Sequence, residues 1–319
     1  MNTGVEIVLA FVALLYYTVE SLVLALIPKS WRTKDIGDDV VLVTGGGNGI
    51  GRLLAQRFAK LGCKVVIWDV NKEGNSETAK MIKEAGGQIF PYQCDLTDKE
   101  DIYKTAAKVR EEVGIVSILI NNAGVVTGKP LLDCPDHMIQ RTFAVNILAH
   151  FWTVKAFLPD MLEQDKGHIV TVASLGGMCG INSLADYCSS KFAAVGFDET
   201  LRMELKVEGR ENIHTTVICP YYISTGMFDG VKSKFLPILE PEVVADRIVS
   251  GVQANDTMVV IPKYCYIFIL LKMMVPWKAY CRAYDRCGGI SSSMCTFRGW
   301  AQRVVQGHSQ MKKEFLAST

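Results

Sequence analysis

Residues 44–51 decide the fold, and they read Thr44-Gly45-Gly46-Gly47-Asn48-Gly49-Ile50-Gly51. An apolar run typical of a strand, Val40 to Thr44, leads into them, and helical periodicity follows from Gly51 to Leu61. Glycines between a strand and a helix let the backbone turn tightly and bring amide N–H groups close to a pyrophosphate, which the helix N-terminus also attracts. A glycine-rich string alone also fits a flexible turn. Its setting favours a dinucleotide site formed by Gly45, Asn48, Gly49, Ile50 and Gly51.

An acidic residue follows at the spacing that such a site requires. Asp69 closes the next strand-like run, Lys64 to Asp69, about twenty residues after the glycines. Its carboxylate is suited to accept hydrogen bonds from an adenosine ribose 2′-OH and to repel a 2′-phosphate, and Lys72 is the nearest basic residue that could offset the repulsion. Taken alone, Asp69 also fits an ordinary turn. Together with the glycines it predicts NAD rather than NADP as the cofactor.

The stretch from residue 36 to residue 262 alternates strand-like runs with helical periodicity. The runs are Val40 to Thr44, Lys64 to Asp69, Gln88 to Gln93, Ile118 to Asn121, His168 to Ser174, Thr215 to Cys219 and Met258 to Ile261. The helical stretches are Gly51 to Leu61, Glu77 to Ala85, Ile102 to Val113, Met138 to Leu162 and Ala185 to Lys206. This alternation predicts an α/β fold of the Rossmann type, with one doubly wound, parallel, seven-stranded sheet in a single domain.

Composition excludes several classes of function. The 34 Lys and Arg residues nearly balance 33 Asp and Glu residues, so nucleic acid is not expected as a partner. The ten cysteines contain no Cys-x-x-Cys pair and read as reduced thiols in a cytosolic redox environment. The five histidines lack the spacing of metal ligands. We therefore predict no metal site.

Residues 1–30 form the predicted membrane anchor. The chain is almost wholly apolar from Val5 to Pro28, which is about the length that a helix needs to cross a bilayer. Basic residues follow this run, at Lys29, Arg32 and Lys34, and place the rest of the chain in the cytosol. Because Glu20 is costly at bilayer depth, a segment lying in one leaflet competes with a true span. A buried helix of the domain is a further alternative. The anchor predicts that the protein lies at a membrane or a lipid-droplet surface with its large domain facing the cytosol.

Residues 263–319 form a C-terminal extension with a second apolar stretch, Tyr264 to Trp277. Lys272 interrupts this stretch and Pro276 ends it, so it is too short to span a membrane. A core or dimer-covering helix is the preferred interpretation, ahead of an interfacial helix near the substrate entrance. Beyond Gly288, the run of serines at 291–293 and the polar tail from residue 306 are predicted to be loose.

Three residues carry the expected chemistry. Tyr187 and Lys191 are four residues apart, so on a helix they share a face, where an ammonium lowers the pKa of a phenol toward values useful for base catalysis. Ser174 ends a strand at the carboxyl edge of the sheet, where ligands bind in open α/β folds, and its hydroxyl could hold a substrate oxygen. A Tyr/Lys pair alone is more often a surface contact. With Ser174, it predicts proton transfer to and from a substrate hydroxyl.

In order along the chain, these residues resemble the short-chain dehydrogenase/reductase superfamily. The shared motifs are Thr44-Gly-x-x-x-Gly49-x-Gly51, Asn121-Asn-Ala-Gly124, Ser174 and Tyr187-x-x-x-Lys191. The resemblance covers about Val40 to Pro262. Residues 184–191 and 219–228, with the apolar N-terminus, are similar to the branch of retinol dehydrogenases and 17-beta-hydroxysteroid dehydrogenases of the endoplasmic reticulum and lipid droplets.

The resemblance implies further site residues and a homodimer. It makes Asn146 a fourth catalytic residue, which kinks its helix around a water linked to Lys191, although an amide at this position also fits a core contact. It gives Lys191 a second bond, to the nicotinamide ribose. It places Asn121, Ala123, Gly124, Asp95 and Leu96 on the adenine and ribose side, and Pro220 and Thr225 beside the carboxamide. One departure is Tyr221, which stands where many members carry glycine.

The predicted function is hydride transfer from a lipophilic alcohol to NAD, with Tyr187 as general base and Ser174 holding the substrate. The segment from Tyr221 to Pro241 contains Met227, Phe228, Phe235, Leu236 and Leu239 and predicts an apolar lid suited to retinol, a steroid or a long-chain alcohol. Two alternatives remain: an NADPH-dependent reductase of a lipophilic carbonyl, and a non-catalytic lipid-droplet scaffold.

Overall fold

The computed structural model describes residues 3–28, 31–234, 236–288 and 293–298. It contains two compact units, Met1–Asp35 and Ile36–Thr319. The strands are β1 Val40–Thr44, β2 Lys64–Asp69, β3 Gln88–Gln93, β4 Ile118–Asn121, β5 Gly167–Val172, β6 Ile213–Pro220 and β7 Met258–Ile261. The α-helices are α1 Thr3–Leu26, α2 Gly49–Lys60, α3 Lys72–Glu84, α4 Lys99–Glu112, α5 Asp136–Phe143, α6 Ala149–Glu163, α7 Ala185–Val207, α8 Pro241–Gln253, α9 Cys265–Met274 and α10 Trp277–Gly288.

The seven strands form one parallel sheet in the order β3-β2-β1-β4-β5-β6-β7. Val43 in the centre of β1 pairs with Ile67 of β2 on one side and Ile120 of β4 on the other. The chain therefore winds outward in both directions from the gap between β1 and β4, and ligands of such sheets bind outside the carboxyl ends of the strands at this point. The predicted doubly wound α/β fold is confirmed. The carboxyl edge of the sheet positions the glycine turn, Asp69 and Ser174 of the predicted site.

Alternation along β1 shows why both faces of the sheet are covered. Val41 and Val43 pack with Phe58 of α2 in a cluster that includes side chains of α3 and α8. Leu42, which points the other way, packs with Phe157 of α6 in a cluster that includes side chains of α4 and α7. Both phenylalanines are fully buried, and truncating either to alanine typically costs about 3–5 kcal/mol.

Three helices differ from the prediction. The single helix expected from Met138 to Leu162 is divided by a π-helical turn, Ala144–Leu148, which joins α5 to α6. Helix α8 was not predicted, although Pro241 stands in its first turn, where a fixed φ and a missing N–H cost nothing. Helix α10 was also missed, because Pro276 was taken as the end of the apolar stretch.

The first unit contains helix α1, whose residues Thr3–Leu24 have a mean hydropathy of 2.2. Within the described part of the chain, it is the one helix long and apolar enough to cross a membrane, by length and composition. Large apolar side chains such as Phe11 and Leu15 are exposed along it. Lys29, used in the topology argument, lies outside the described residues.

The C-terminal extension contains α9, α10 and a 3₁₀ turn at Met294–Thr296. Ser293 is fully buried and its hydroxyl lies 3.3 Å from that of Tyr222, so this serine is not loose as predicted. The predicted loose serines at 291 and 292 and the tail from residue 306 lie outside the described residues.

Candidate active site

The glycine-rich turn joins β1 to α2 as predicted. Gly45 and Gly49 have φ values of +69° and +51°, a conformation that L side chains rarely adopt. Asn48 at the N-cap of α2 makes no capping bond with its side chain, so the first-turn N–H groups remain available to an anion. All five predicted residues of the turn, which include Ile50 and Gly51, line one cavity of about 750 Å³.

Asp69 ends β2 beside this turn and lines the same cavity. One carboxylate oxygen, Oδ2, accepts a hydrogen bond from the backbone N–H of Gly47 at 3.0 Å, and Oδ1 accepts one from the N–H of Asn71 at 2.9 Å. These bonds fix the carboxylate at the rim of the cavity, and they connect it directly to the glycine turn. The side chain stays partly exposed, so its charge faces any group placed there.

The end of β4 departs from the prediction in one residue. Asn121 does not line the cavity: its side chain is buried and accepts a hydrogen bond from Thr153 of α6 at 2.8 Å. Successive residues of a strand point to opposite sides, so the next residue, Asn122, faces the cavity instead. The Nδ2 group of Asn122 donates to the carbonyl oxygen of Thr44 at 2.8 Å, which ties β4 to the start of the glycine turn. Strand alternation could have selected Asn122 from the sequence.

The other predicted cofactor residues lie at or after the carboxyl ends of three strands of the sheet, β3, β4 and β6. The cavity lining includes Asp95 and Leu96 after β3, Ala123 and Gly124 after β4, and Pro220 and Thr225 at or after the end of β6. The structure thus brings all of the predicted cofactor residues except Asn121 to one cavity.

Three of the proposed catalytic side chains, Ser174, Tyr187 and Lys191, line the same cavity. Ser174 follows β5 and caps a short 3₁₀ turn, Leu175–Gly177, so that its Oγ accepts from the N–H of Gly176 at 3.0 Å. Tyr187 and Lys191 lie on α7 as predicted, both are buried, and the Nζ atom of Lys191 is 5.8 Å from the centre of the Tyr187 ring. Lys191 also donates to the carbonyl oxygen of Val172 at 2.7 Å, which fixes the ammonium beside the end of β5.

Burial moves the pKa values of both groups on α7. It raises the pKa of the Tyr187 phenol above its ordinary value, and a hydrogen bond with Ser174 acts in the opposite direction. Burial lowers the pKa of Lys191 to about 8. Burial therefore does not activate the phenol. Tyr187 accepts a proton only as the phenolate, which the Ser174 hydroxyl and the positive charge of Lys191 stabilise.

Asn146 is fully buried inside the π turn, where its amide is held by three bonds. Its Oδ1 accepts from the N–H of Val125 at 2.8 Å, and its Nδ2 donates to the carbonyl oxygen of Val125 at 3.0 Å and to Ser190 Oγ at 3.0 Å. Ser190 in turn donates to the carbonyl oxygen of Tyr187 at 2.7 Å. A π turn lies where the resemblance predicts a kink around Asn146, and the amide is connected to the turn of α7 that carries Tyr187.

The rest of the cavity lining is mainly apolar, apart from His137, Gln140 and Arg141 of α5. Its walls come from the segment after β6, from α9 and α10, and from the residues after the Ser174 turn. These lining residues are Met178, Cys179, Ile181, Tyr221, Tyr222, Met227, Phe228, Leu236, Cys265, Phe268, Ile269, Lys272, Tyr280 and Tyr284.

Of the five apolar residues named in the predicted lid, Met227, Phe228 and Leu236 line the cavity. Leu239 packs in the core, and Phe235 lies outside the described residues. Tyr280 and Tyr284 were not predicted. Their spacing of four places both on one face of α10, a signal that the sequence does contain.

The glycine positions also test whether a nicotinamide dinucleotide fits. A Cβ atom on Gly124 would lie 3.5 Å from Asn146 Oδ1 and 3.6 Å from Lys191 Nζ, which are ordinary contact distances, so Gly124 lies directly beside both polar groups. A Cβ atom on Gly49 would lie 3.6 Å from Thr225, across the cavity from the first turn of α2. These residues fit a cofactor with its pyrophosphate at the glycine turn and its nicotinamide end near Lys191.

A family model described as short chain dehydrogenase matches residues 39–235. The chain belongs to the short-chain dehydrogenase family. Epidermal retinol dehydrogenase 2 from Homo sapiens is 48% identical to it over 268 residues, 83% of this chain and 86% of that relative. Estradiol 17-beta-dehydrogenase 11 from Mus musculus is 45% identical over 276 residues, 86% of this chain and 92% of that relative.

A solved short-chain dehydrogenase/reductase from Burkholderia phymatum, in complex with NAD, shares the fold with a TM-score of 0.70. It is 25% identical in sequence, and the match covers 76% of this chain and 95% of that one. The predicted family and enzyme class are confirmed: this short-chain dehydrogenase is an oxidoreductase that acts on CH–OH donors.

Proposed function

We propose that the protein oxidises a lipophilic primary or secondary alcohol with NAD, with Tyr187 as the general base. One observation carries the proposal. A single cavity contains the cofactor-binding edge of the sheet, the half-buried Ser174 with the buried Tyr187 and Lys191, and an apolar part walled by α9 and α10. An alcohol whose hydroxyl lies between Ser174 and Tyr187 would place the rest of its body in that apolar part.

The polar groups divide the work of proton transfer. Ser174 Oγ is positioned to hold the substrate oxygen, and Tyr187 takes the hydroxyl proton as the carbon–oxygen double bond forms. Lys191 uses one of its three ammonium protons on Val172, which leaves two for the phenolate side and the cofactor ribose. The nicotinamide, when bound, accepts the hydride from the carbinol carbon. Asn146 holds the geometry of this region through Val125 and Ser190.

Asp69 supports NAD rather than NADP. A carboxylate fixed at the rim by Gly47 and Asn71 accepts hydrogen bonds from a ribose 2′-OH, whereas a 2′-phosphate there would meet negative charge. The Burkholderia phymatum structure contains NAD, whereas a similar metagenomic short-chain oxidoreductase contains NADP, so the choice between the two rests on Asp69. NAD preference in turn favours oxidation as the direction, because a cytosolic NAD pool is kept oxidised.

The relatives support the substrate class. Their names describe dehydrogenases of retinol and of estradiol, two lipophilic alcohols of different shape. Tyr221 shapes the pocket in place of a glycine: it is buried, lines the cavity, and its hydroxyl lies 3.0 Å from that of Ser233.

Two features of the surroundings belong to the same proposal. Helix α1 anchors the protein in the endoplasmic reticulum membrane or at a lipid droplet, with the catalytic unit in the cytosol; its length and hydropathy support this. A homodimer forms through α6, α7 and the turn before α6, where Leu148, Phe151 and Met203 are exposed apolar side chains.

The test is NAD reduction by the full-length protein in vesicles with retinol, steroid alcohols and long-chain alcohols, using Tyr187→Phe as the blank. Turnover of at least one alcohol that requires Tyr187 and prefers NAD is expected. If the protein binds NAD but turns over none of these alcohols, the proposed oxidation is wrong and the scaffold alternative gains support. Faster turnover of the matching carbonyls with NADPH would favour the reductase alternative.

A further inference from the structure

Helix α9 has two apolar faces with different surroundings. One face, with Cys265, Phe268 and Ile269, lines the apolar part of the cavity. The opposite face is open: Ile267 and Leu270 are 59% and 60% exposed, and Met273 and Met274 are both 80% exposed. Exposure of an apolar helix face to water is unfavourable. Large exposed apolar patches are rare on soluble monomers and mark interaction sites.

Polar bonds hold this helix and its neighbour in a fixed orientation. Lys272 turns inward from α9, and its Nζ donates to the carbonyl oxygen of Met178 at 2.8 Å and lies 5.0 Å from the centre of the Phe192 ring. The hydroxyl of Tyr284 on α10 donates to the carbonyl oxygen of Gly180 at 3.2 Å. With the inner faces of both helices tied to residues 178–180, the outward direction of the other face is set by the fold.

We infer that the outward surface formed by Ile267, Leu270, Met273, Met274 and Trp277 lies in a phospholipid surface, and that lipophilic alcohols reach the cavity from this lipid through the α9–α10 wall. This inference rests on the proposed function for its second half. The surface formed by these five residues is called the docking face below.

Charge and side-chain type favour lipid over a protein partner. Apart from Lys272, which turns inward, residues 262–288 contain four basic residues, Lys263, Lys278, Arg282 and Arg286, against the single acidic residue Asp285. Such an excess attracts anionic headgroups. Tyr264 and Trp277 stand at the two ends of the apolar stretch and are 44% and 69% exposed, and amphipathic rings of these types are enriched at the headgroup level.

The chain also contains its own link to a membrane. Helix α1 is long and apolar enough to cross one, and only residues 27–35 connect it to the unit that begins at Ile36. Nine residues reach about 30 Å when fully extended. A membrane that takes up α1 therefore stays within a short distance of the catalytic unit, which makes a second, weaker contact effective through high local concentration.

The functional consequence is a dry route for the substrate. Phe268 and Ile269 face the cavity, while Ile267 and Leu270, their sequence neighbours, face outward, so one helix thickness separates the cavity from the docking face. A retinoid or steroid dissolves in lipid far better than in water. Entry through this wall avoids the free-energy cost of passing through the aqueous phase.

A fluorescence experiment on the full-length protein in anionic phospholipid vesicles tests the contact itself. Brominated phospholipids quench tryptophans that reach the acyl chains, and the difference between wild type and Trp277→Phe isolates Trp277. We expect Trp277→Phe to remove a clear part of the quenchable emission, whereas the matched variant Trp152→Phe on α6 leaves it in place. Equal quenching of wild type and Trp277→Phe would overturn the docking face.

A kinetic experiment tests the route. The test variant is the full-length double substitution Met273→Asp/Met274→Asp. Neither substituted position lines the cavity. With alcohol supplied in vesicles, we expect kcat/KM to fall about tenfold. This factor corresponds to the free energy that is lost when one large apolar side chain is no longer buried. In detergent micelles, which supply substrate without a bilayer, the variant should match wild type. Val207→Asp, at an exposed apolar residue at the end of α7, is the control that should lose nothing in either medium.

The outcomes separate this inference from the proposed function. Loss of Trp277 quenching with no turnover of any alcohol supports the docking face and overturns the proposed oxidation. Turnover in vesicles that the double variant leaves unchanged supports the oxidation and overturns entry through α9 and α10. An equal loss of activity in vesicles and micelles shows damage to the catalytic unit and also overturns the entry route.

Discussion

The side chain of Asn146 is joined to Ser190 by a hydrogen bond of 3.0 Å between Nδ2 and Oγ. The hydroxyl of Ser190 in turn donates a hydrogen bond to the carbonyl oxygen of Tyr187 at 2.7 Å. Asn146 and Ser190 are completely buried. The π turn between α5 and α6 and the first turn of α7 are therefore locked together beside the proposed base, and Ser190 is a positioning residue that touches neither substrate nor cofactor.

Ser190→Ala should lower kcat about fivefold, the effect of losing one or two buried hydrogen bonds of about 1 kcal/mol. The KM for NAD should stay unchanged, since Ser190 does not line the cavity. Steady-state kinetics on both substrates measures the split. Ser189→Ala is the matched control, because its side chain is the exposed neighbour. An unchanged kcat, or equal losses in the two variants, would contradict the positioning role.

Asp69→Asn should shift cofactor preference toward NADP by about tenfold in the ratio of kcat/KM values, since a repulsive charge beside the 2′-position is removed. Activity with NAD should also fall, because an amide cannot accept from both Gly47 and Asn71 as the carboxylate does. The ratio of the two cofactor efficiencies is the quantity to measure. Asp98→Asn is the control, at an N-cap outside the cavity lining. A ratio that stays constant in Asp69→Asn would remove Asp69 from cofactor selection.

The sequence was sufficient for the fold and the catalytic centre because both depend on local patterns. Glycines between a strand and a helix, Asp69 at a strand end, and Tyr187 four residues before Lys191 fix their own geometry through strand and helix periodicity. β1 has the predicted bounds, whereas the predicted β5 extended to Ser174 and the strand in fact ends at Val172. The serine lies instead in the turn that follows.

The apolar walls could not be predicted in the same way. Tyr284 meets Gly180 across more than a hundred positions of chain, and no local pattern specifies which residues α10 will contact. The error at Asn121 had another cause: two asparagines stand side by side, and only the direction of one side chain toward Thr153 decides which of them reaches the cavity.

Tyr284→Phe should raise the KM for a lipophilic alcohol about fivefold with little change in kcat or in the KM for NAD. The hydroxyl of Tyr284 links α10 to Gly180 by a hydrogen bond. Its loss therefore loosens the α10 wall of the substrate cavity and leaves the contacts of Tyr187 unchanged. Tyr266→Phe is the matched control, since its hydroxyl donates to Met258 at 3.2 Å and its side chain is not in the cavity lining. A drop in kcat with an unchanged KM would show that the tie acts on the chemical step instead.

His150→Leu should remove part of the acid sensitivity of the fold. His150 is buried on α6, and neither ring nitrogen has a hydrogen-bond partner among the described residues. Burial, and secondarily the charge of Lys191, lower its pKa from 6.5 to about 3. Between these values the unfolded chain binds a proton at this position and the folded protein does not. Stability is therefore fully present above pH 6.5 and falls as the pH drops toward 3.

Thermal unfolding of the full-length protein in detergent, measured from pH 7.5 down to pH 4.5, checks this sign. Wild type should lose melting temperature across the range, and His150→Leu should lose less, so that the gap between the two grows in favour of the variant as the pH falls. At pH 7.5 the variant should be close to wild type, because it replaces an unbonded buried polar ring with an apolar side chain. A gap that is constant with pH would show that another group controls the acid transition.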